Sequence, residues 1–153
     1  MKLLIQRVKY AQLKVDGSDW GEIAKGLLVY VGFSKEDTDK DIEKVFKRVV
    51  DKIVGLRVFP DDQGKMNLSV KDIRGGIMLV SNFTLYAYID RGKRPSFTNA
   101  LNPSIAVNFY KKLEENLRDV VIKEGLKMVN GVFGSYMEIY SLAWGPVNIV
   151  WES

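Results

Sequence analysis

Residues 77–86, with the sequence Ile77-Met78-Leu79-Val80-Ser81-Asn82-Phe83-Thr84-Leu85-Tyr86, decide the fold. An apolar run of this length, with β-branched and aromatic residues, is typical of a strand that is buried on both faces. We therefore predict a central strand over the whole stretch. Its polar positions allow two interpretations. Hydroxyls at the mouth of a buried strand orient a water molecule or an oxyanion, or they satisfy backbone groups where the strand ends.

The first third of the chain also has the pattern of strands. Residues 3–5 and 8–15 are apolar or alternate between apolar and polar, and Asp16-Gly17 is a turn sequence. A second apolar run, residues 27–31, follows Gly26. This pattern predicts a hairpin followed by a core strand.

Two amphipathic helices are predicted from apolar residues at helical spacing. The first begins near Thr38, which has capping-box spacing with Asp41, and ends at Gly55. The second begins with Asn102 as its cap and Pro103 in its first turn, and it ends at Gly125. The predicted buried faces are Ile42, Val45, Phe46, Val49, Val50 and Ile53 in the first helix, and Ile105, Phe109, Leu113, Leu117 and Val120 in the second.

Three strand-like runs close the chain, at residues 127–133, 137–142 and 147–151, with Gly145-Pro146 between the last two. Many short strands and only two long helices favour curled or stacked sheets over a doubly wound parallel sheet. The predicted fold class is therefore α/β. We expect a single domain over residues 1–153, with a barrel-like or stacked β body and the two long helices packed outside.

Composition limits the chemistry of the chain. The 153 residues contain no cysteine and no histidine, which excludes disulfides, Ser-His-Asp and Cys-His nucleophile systems, and the imidazole ligands of most catalytic zinc sites. We therefore predict no metal and no cofactor. Hydrolysis by this chain would depend on hydroxyls, carboxylates, amines, backbone dipoles or groups of the substrate itself.

Charge and hydropathy suggest a location and a class of partner. Gln6, Arg7 and Lys9 interrupt the apolar N-terminal stretch before a secretory segment or a spanning helix forms, so we expect a cytoplasmic protein with no membrane partner. The net charge of +4 modestly favours a polyanionic partner.

Several short motifs, taken in order, resemble the D-aminoacyl-tRNA deacylases, also called D-tyrosyl-tRNA deacylases. The resemblance covers the whole chain. The motifs are Gln6-Arg7-Val8, Gly64-Lys65-Met66-Asn67-Leu68, residues 81–86, Arg94-Pro95-Ser96-Phe97-Thr98, Phe133-Gly134, Met137 and Gly145-Pro146-Val147.

The resemblance implies a homodimer with an active site at each side of the subunit interface. Residues 81–85 of one chain would face Gly145-Pro146 of the other, and in the family that Gly-Pro bond is cis. The two carbonyls would hold the substrate's α-amino group so that a D side chain points outward and an L side chain collides with the loop. Arg7 would brace the loop, and Phe133 and Met137 complete the implied substrate-binding residues.

The implied reaction is hydrolysis of the ester that joins a D-amino acid to the terminal ribose of tRNA. Ser81, Asn82, Phe83 and Thr84 are the implied catalytic segment, with the backbone N–H groups of Phe83 and Thr84 directed at the oxyanion. The nucleophile is either the Thr84 hydroxyl or a water molecule activated by the ribose 2′-hydroxyl. We prefer the water, because no histidine is present to deprotonate Thr84.

A basic loop supplies the implied RNA contacts, and a few positions depart from the family pattern. Arg91, Lys93 and Arg94 either hold acceptor-stem phosphates or belong to a solvated charged loop. The departures are Asn82 in place of Gln, Ala143 in place of Asn, Asn148 in place of Thr, and the bulky Trp144. They leave three alternatives open: a non-catalytic tRNA-binding paralogue, a deacylase relaxed toward glycine or small L-amino acids, and a hydrolase of small esters or amides.

Overall fold

The computed structural model describes residues 1–90 and 92–153, which form eight strands and two long helices. In chain order the elements are β1 (Lys2–Val15), β2 (Ser18–Ile23), β3 (Gly26–Gly32), α1 (Ile42–Gly55), β4 (Phe59–Pro60), β5 (Met66–Leu68), β6 (Gly76–Ser81), α2 (Pro103–Lys123), β7 (Lys127–Asn130) and β8 (Met137–Glu152). Two 3-10 turns, Lys35–Asp39 and Phe83–Tyr86, follow β3 and β6.

Six strands form one mixed sheet in the order β2-β1-β3-β6-β7, and β8 pairs with the other edge of β1. Strand β1 is antiparallel to β2, β3 and β8, whereas β3, β6 and β7 run parallel. The indole Nε1 of Trp20 on β2 donates to the Asn130 carbonyl at the end of β7 over 2.9 Å. Because this contact joins opposite ends of the strand order, the sheet is a nearly closed barrel. The predicted barrel-like α/β fold with two outer helices is confirmed.

The sheet buries side chains on both faces. Alternate residues of β3 and β6 point either into the barrel, as Leu28 and Met78 do, or toward the helices, as Leu27 and Ile77 do. The rings of Phe46 on α1, Phe109 on α2 and Phe33 after β3 meet edge to face, with centroids 5.8–6.3 Å apart. The helices are therefore fixed against the strand ends that carry the pocket described below.

Helix α1 begins at Ile42, so the prediction that it begins near Thr38 is wrong. Thr38 belongs to the 3-10 turn, and the carboxylate of Asp41 accepts from the Lys44 amide over 3.3 Å as the cap of α1. A capping box is present one turn earlier, in the 3-10 turn. Gly55 is the last residue of α1, as predicted. A left-handed backbone is expected at both helix ends, but of these two glycines only Gly125, after α2, adopts it, with φ +64°.

A buried carboxylate fixes the first 3-10 turn. Asp37 has no exposed surface and accepts from the Ser34 amide over 2.8 Å, from Lys40 Nζ over 3.0 Å and from the Met1 ammonium over 2.5 Å. Burial alone raises the pKa of Asp37, but these donors outweigh it and hold the pKa below its ordinary value. The turn that begins with Lys35 is thus held in place by charge-assisted hydrogen bonds.

The predicted face of α2 is rotated by about one residue. Ile105 is 42% exposed, whereas Ala106 and Tyr110 are buried beside the correctly predicted Leu113 and Leu117. The aromatic ring of Tyr110 fills the core, and its hydroxyl donates to the Leu79 carbonyl over 2.9 Å. The buried hydroxyl is therefore not left without a hydrogen-bond partner.

Three predicted strand boundaries are wrong. The run predicted over residues 127–133 is a strand, β7, only as far as Asn130. The central strand β6 ends at Ser81, because Asn82 caps a 3-10 turn that takes up the rest of the 77–86 stretch. The two C-terminal runs form one 16-residue strand, β8, with Gly145-Pro146 inside it.

Candidate active site

A pocket of about 620 Å³ opens at the ends of β3 and β6. Four parts of the chain line it: the end of β3, the end of β6 with its 3-10 turn, the start of α2 with the loop before it, and the segment before β8. The lining residues are Val31, Gly32, Phe33, Lys35, Ser81, Asn82, Phe83, Phe97, Ala100, Leu101, Asn102, Pro103, Ala106, Phe133, Gly134, Ser135 and Met137.

The 3-10 turn after β6 is held by the Asn82 side chain. Its Oδ1 accepts from the Thr84 amide over 3.1 Å and from the Thr84 hydroxyl over 2.5 Å. The backbone N–H of Asn82 donates to the Val31 carbonyl over 2.7 Å, which ties the turn to β3. Gly32 permits this approach, since a Cβ there would lie 2.7 Å from the Asn82 carbonyl oxygen. Any side chain at position 32 would push Asn82 and its 3-10 turn away.

Of the two backbone donors predicted for an oxyanion, the structure leaves one available. The Thr84 N–H is already bonded to the Asn82 side chain, so the expectation that it points at an oxyanion is not met in this conformation. The Phe83 N–H occupies the first position of the turn, where no intrahelical acceptor exists. Of these two donors, the Phe83 N–H is therefore the one that forms no hydrogen bond within the described residues.

An aromatic pair closes one side of the pocket. The Phe83 ring is 57% exposed and meets Phe97 edge to face, with centroids 5.0 Å apart. Phe97 comes from the loop between β6 and α2, whose base is closed by paired backbone hydrogen bonds between Tyr88 and Ser96 of 2.8 and 2.9 Å. The loop therefore lies over the pocket as its outer wall.

Two of the predicted RNA-binding residues, Lys93 and Arg94, belong to this same loop. Lys93 and Arg94 are exposed and, within the part of the chain that the structure describes, form no salt bridge. Arg91, the third residue of the prediction, lies outside the described residues.

The wall formed by Phe133 and Met137 packs against Gly131 and Tyr110. A Cβ on Gly131 would lie 2.6 Å from the Met137 sulfur, so a larger residue there would displace the Met137 side chain. The Tyr110 hydroxyl lies 2.9 and 3.0 Å from the carbonyls of Leu79 and Gly131, and its ring is 6.0 Å from that of Phe133. Burial raises the pKa of Tyr110, which stays a neutral anchor behind the pocket wall.

Gly145 and Pro146 form a bulge in β8 directly opposite Arg7. Gln6 pairs with Asn148 and Val8 pairs with Ala143, so residues 144–147 face the single residue Arg7. The Gly145-Pro146 bond is cis. Gly145 has φ +133°, and a Cβ there would lie 3.0 Å from Arg7 Nη2. The bulge therefore depends on glycine at 145 and on the position of the arginine.

Arg7 joins this bulge to the body of the protein. Its side chain is 8% exposed, and its Nε donates to the Trp144 carbonyl over 2.8 Å while its Nη1 donates to the Val58 carbonyl. Burial lowers the pKa of Arg7, yet a guanidinium remains charged at neutral pH. The Trp144 ring packs between Arg7, at 4.8 Å, and the Phe59 ring, at 6.1 Å. The bulky residue at 144 thus anchors the loop on its own chain.

The other departures from the family pattern also have local partners. Asn148 Oδ1 accepts from Gln6 Nε2 over 3.0 Å, so an amide supplies a hydrogen bond at this position. Ala143 pairs with Val8 in the register of β8 on β1.

The pocket and the Gly-Pro bulge lie apart within one chain. Neither Gly145, Pro146 nor Arg7 lines the pocket. Arg7 pairs with Leu27 on β3, four residues before Val31 at the pocket, which corresponds to about 13 Å along the strand. The structure thus brings Ser81, Asn82, Phe83, Phe133 and Met137 together, with Thr84 bonded to Asn82, and places the bulge elsewhere.

Several lining residues lie outside the predicted site. Lys35, Ala100, Leu101, Pro103 and Ala106 carry no chemical signal in the sequence, because they contribute by position alone. Phe97 and Gly134 do have a signal, since both belong to the motifs of the resemblance. Among the described residues, no three His, Cys, Asp or Glu side chains cluster so as to share a metal ion. In that same part of the chain, no helix has the length and apolar character needed to cross a membrane.

Fold and site together define a class of single-domain α/β proteins, in which a nearly closed mixed sheet carries a largely apolar pocket beside a capped 3-10 turn. The chain belongs to the D-Tyr-tRNA(Tyr) deacylase family, whose model matches residues 4–152. The resemblance inferred from the motifs is therefore confirmed.

Individual relatives match this chain over nearly their whole length. The chain is 44% identical to the D-aminoacyl-tRNA deacylase of Aquifex aeolicus (strain VF5), covering 100% of this chain and 98% of the relative. It is 45% identical to that of Macrococcus caseolyticus (strain JCSC5402), covering 100% and 96%.

Solved structures agree as well. The solved structure of c-Myc DNA Unwinding Element Binding Protein is 38% identical in sequence, with a TM-score of 0.87, and the match covers 100% of this chain and 99% of that protein. The solved structure of a probable eukaryotic D-amino acid tRNA deacylase is 14% identical, with a TM-score of 0.82, and the match covers 98% of this chain and 97% of that protein. At this identity the likeness is one of fold alone.

Proposed function

We propose that this chain, as a single deacylase domain over residues 1–153, hydrolyses the ester bond of D-aminoacyl-tRNA and releases the D-amino acid and tRNA. The observation that carries the proposal is the convergence of Ser81, Asn82, Phe83, Phe133 and Met137 on one pocket. The names of its relatives point to the same reaction. We place the activity in the cytoplasm, with tRNA as partner.

The proposed active enzyme is a homodimer in which the Gly145-Pro146 bulge of one chain enters the pocket of the other. Two features support it. The bulge is braced on its own chain, about 13 Å along the strand from that chain's pocket. Strand β8 offers a surface for a second copy, because none of its 16 residues is buried and Tyr140, Leu142 and Val150 are 54–67% exposed.

In the proposed reaction, the carbonyls of Gly145 and Pro146 of the second subunit accept hydrogen bonds from the substrate's α-ammonium group. A D side chain then points outward, whereas an L side chain collides with the bulge. Water attacks the ester carbonyl carbon, and the Phe83 N–H stabilises the oxyanion that forms. The bond to the ribose oxygen breaks, and that oxygen leaves with a proton as the free hydroxyl of tRNA.

As the water attacks, it gives a proton to the ribose 2′-oxygen, and the 2′-hydroxyl gives its own proton to the ribose oxygen that leaves, so the 2′-hydroxyl is regenerated. Thr84 positions the water rather than attacking the ester itself. Its hydroxyl donates to Asn82 Oδ1, an amide oxygen that is too weak a base to activate a nucleophile. The lone pairs of the Thr84 oxygen remain free to accept a hydrogen bond from water.

A deacylation assay tests the proposed function. Incubated with D-tyrosyl-tRNA and L-tyrosyl-tRNA, the protein is expected to release D-tyrosine at least about 100-fold faster, because a collision in a rigid pocket costs several kcal/mol. Release is followed with labelled tyrosine. Release of neither amino acid would leave a non-catalytic tRNA-binding protein, and equal release of both would contradict chiral selection by the bulge.

Replacing Thr84 with valine separates the two nucleophiles. If Thr84 only positions water, kcat for D-tyrosyl-tRNA falls by no more than about tenfold, since one hydrogen bond is worth roughly 1 kcal/mol. A 2′-deoxy terminal ribose is expected to reduce turnover much more. Loss of all activity in Thr84→Val, with the fold intact by circular dichroism, would instead assign the nucleophile to Thr84.

Lys93 and Arg94, together with Arg91, are proposed to contact acceptor-stem phosphates at the pocket mouth. Their loop also carries Phe97, which lines the pocket, so an RNA whose aminoacyl end is bound there passes close to these cations.

A further inference from the structure

A second groove, of about 600 Å³, lies on the solvent face of α1 and is distinct from the pocket. It ends at the segment that follows the helix. We call it the basic groove. It is lined by Lys44, Lys47, Arg48, Asp51, Lys52, Gly55, Leu56 and Arg57.

The basic groove carries a strongly localised positive charge. Five cationic side chains and the single carboxylate of Asp51 give it a net charge of +4, which equals the net charge of the whole chain. The charges on the rest of the protein therefore cancel. A concave surface lined by one sign of charge attracts a polyanion more strongly than the same charges scattered over a surface.

The cations of the groove are exposed and not neutralised by the protein. Within residues 1–90 and 92–153, none of the five forms a salt bridge, and neither does Asp51. The two arginines are instead positioned by neutral partners. Arg48 donates to the Ser153 hydroxyl over 2.5 Å, and Arg57 donates to the Asn67 carbonyl over 2.6 Å. Their full charge is thus available to a ligand in a fixed orientation.

The groove ends beside the Gly-Pro bulge. Arg57 precedes Val58, and the Val58 carbonyl accepts a hydrogen bond from Arg7. Arg7 in turn holds the Trp144 carbonyl, one residue before Gly145. The Arg57 end of the groove is therefore connected, through Val58 and Arg7, to the loop that serves the partner's pocket in the proposed dimer.

We propose that the basic groove binds the sugar–phosphate backbone of the tRNA whose aminoacyl end occupies the partner subunit's pocket. The subunit that lends the Gly-Pro bulge thereby also holds the RNA. From Lys44 to Lys52 the helix rises about 12 Å, which spans several successive phosphates of one strand. Leu56 is the only bulky apolar side chain in the lining, so the groove lacks the apolar anchors that insert into a lipid surface.

The proposal rests on the proposed function for the identity of the RNA, and its test measures binding separately from catalysis. The test variant is K44Q/K47Q/K52Q. The matched control is K111Q/K123Q/K127Q, which removes three exposed lysines of α2 and β7, also without salt bridges among the described residues. Binding of uncharged tRNA is measured by fluorescence anisotropy over a range of salt concentrations.

We expect the test variant to bind uncharged tRNA at least about tenfold more weakly at low salt, with a salt slope reduced by about two to three, because each lost phosphate contact lowers the slope by roughly 0.9. The KM for D-tyrosyl-tRNA rises in proportion. Hydrolysis of the small ester D-tyrosyl-adenosine stays unchanged, since it does not reach the groove. The control keeps wild-type values in all three measurements.

Wild-type affinity in the test variant, or an equal loss in the control, would overturn the proposal. So would wild-type binding to phosphatidylserine–phosphatidylcholine vesicles without binding to tRNA. If the wild type binds tRNA through the groove but hydrolyses neither ester, the groove assignment stands and the proposed deacylase function fails.

Discussion

Replacing Arg7 with alanine is expected to lower kcat/KM for D-tyrosyl-tRNA by on the order of 100-fold, because small displacements of a positioning loop have effects of this size. The Arg7 guanidinium donates hydrogen bonds to the carbonyls of Trp144 and Val58, and Arg7 itself is buried. Without it, both acceptors lose their partner and the bulge at Gly145-Pro146 is no longer fixed to β1. The ratio of D-tyrosine to L-tyrosine release is expected to fall as well, since a displaced bulge no longer excludes the L side chain.

Two companion variants separate positioning from general damage. Lys9→Ala removes an exposed cation that lies 5.9 Å from the same Trp144 ring. Because Lys9 makes no hydrogen bond to the bulge, kcat/KM should stay within about threefold of the wild-type value. Arg7→Lys keeps the charge but not the planar fork, and we expect only partial rescue. Arg7→Ala with a normal D-to-L ratio and normal kcat/KM would show that the arginine does not brace the bulge.

Local patterns predicted the fold where sequence periodicity and burial agree. The helical spacing in α1 identified Phe46, Val49, Val50 and Ile53, all of which are buried. In α2 the prediction chose Ile105 in place of Ala106, because periodicity counts hydrophobicity and takes no account of a neighbour's shape. The burial of Tyr110 depends on main-chain carbonyls of β6 and residue 131, which no spacing on the helix reveals.

The candidate site was predictable in part. The resemblance identified the segment around Ser81 and the Gly-Pro pair, but the end of β6 depends on two hydrogen bonds to the Asn82 side chain, from the Thr84 backbone N–H and the Thr84 hydroxyl. An apolar run alone gives no sign of such a cap. Lys35 and Ala106 reach the pocket only through tertiary packing, so the sequence does not predict them.

The basic groove illustrates the same limit for charge. The sequence shows a net charge of +4 but does not show where it resides. Helical geometry places Lys44, Lys47 and Lys52 along one groove, and the chain after α1 adds Arg57 to it. A modest net charge is thereby concentrated on one face.

The central claim is that each active site combines residues from two chains, and a mixed dimer tests it most directly. Arg7→Ala damages the bulge, and Asn82→Ala releases the 3-10 turn of the pocket, so each homodimer is expected to be nearly inactive. When equal amounts are co-refolded, half of the dimers are mixed, and each mixed dimer joins one intact pocket to one intact bulge. We predict recovery of about a quarter of wild-type deacylation of D-tyrosyl-tRNA, as random pairing in a two-fold dimer requires. Activity that remains at the mean of the two parent variants, with dimers present by light scattering, would contradict a shared site.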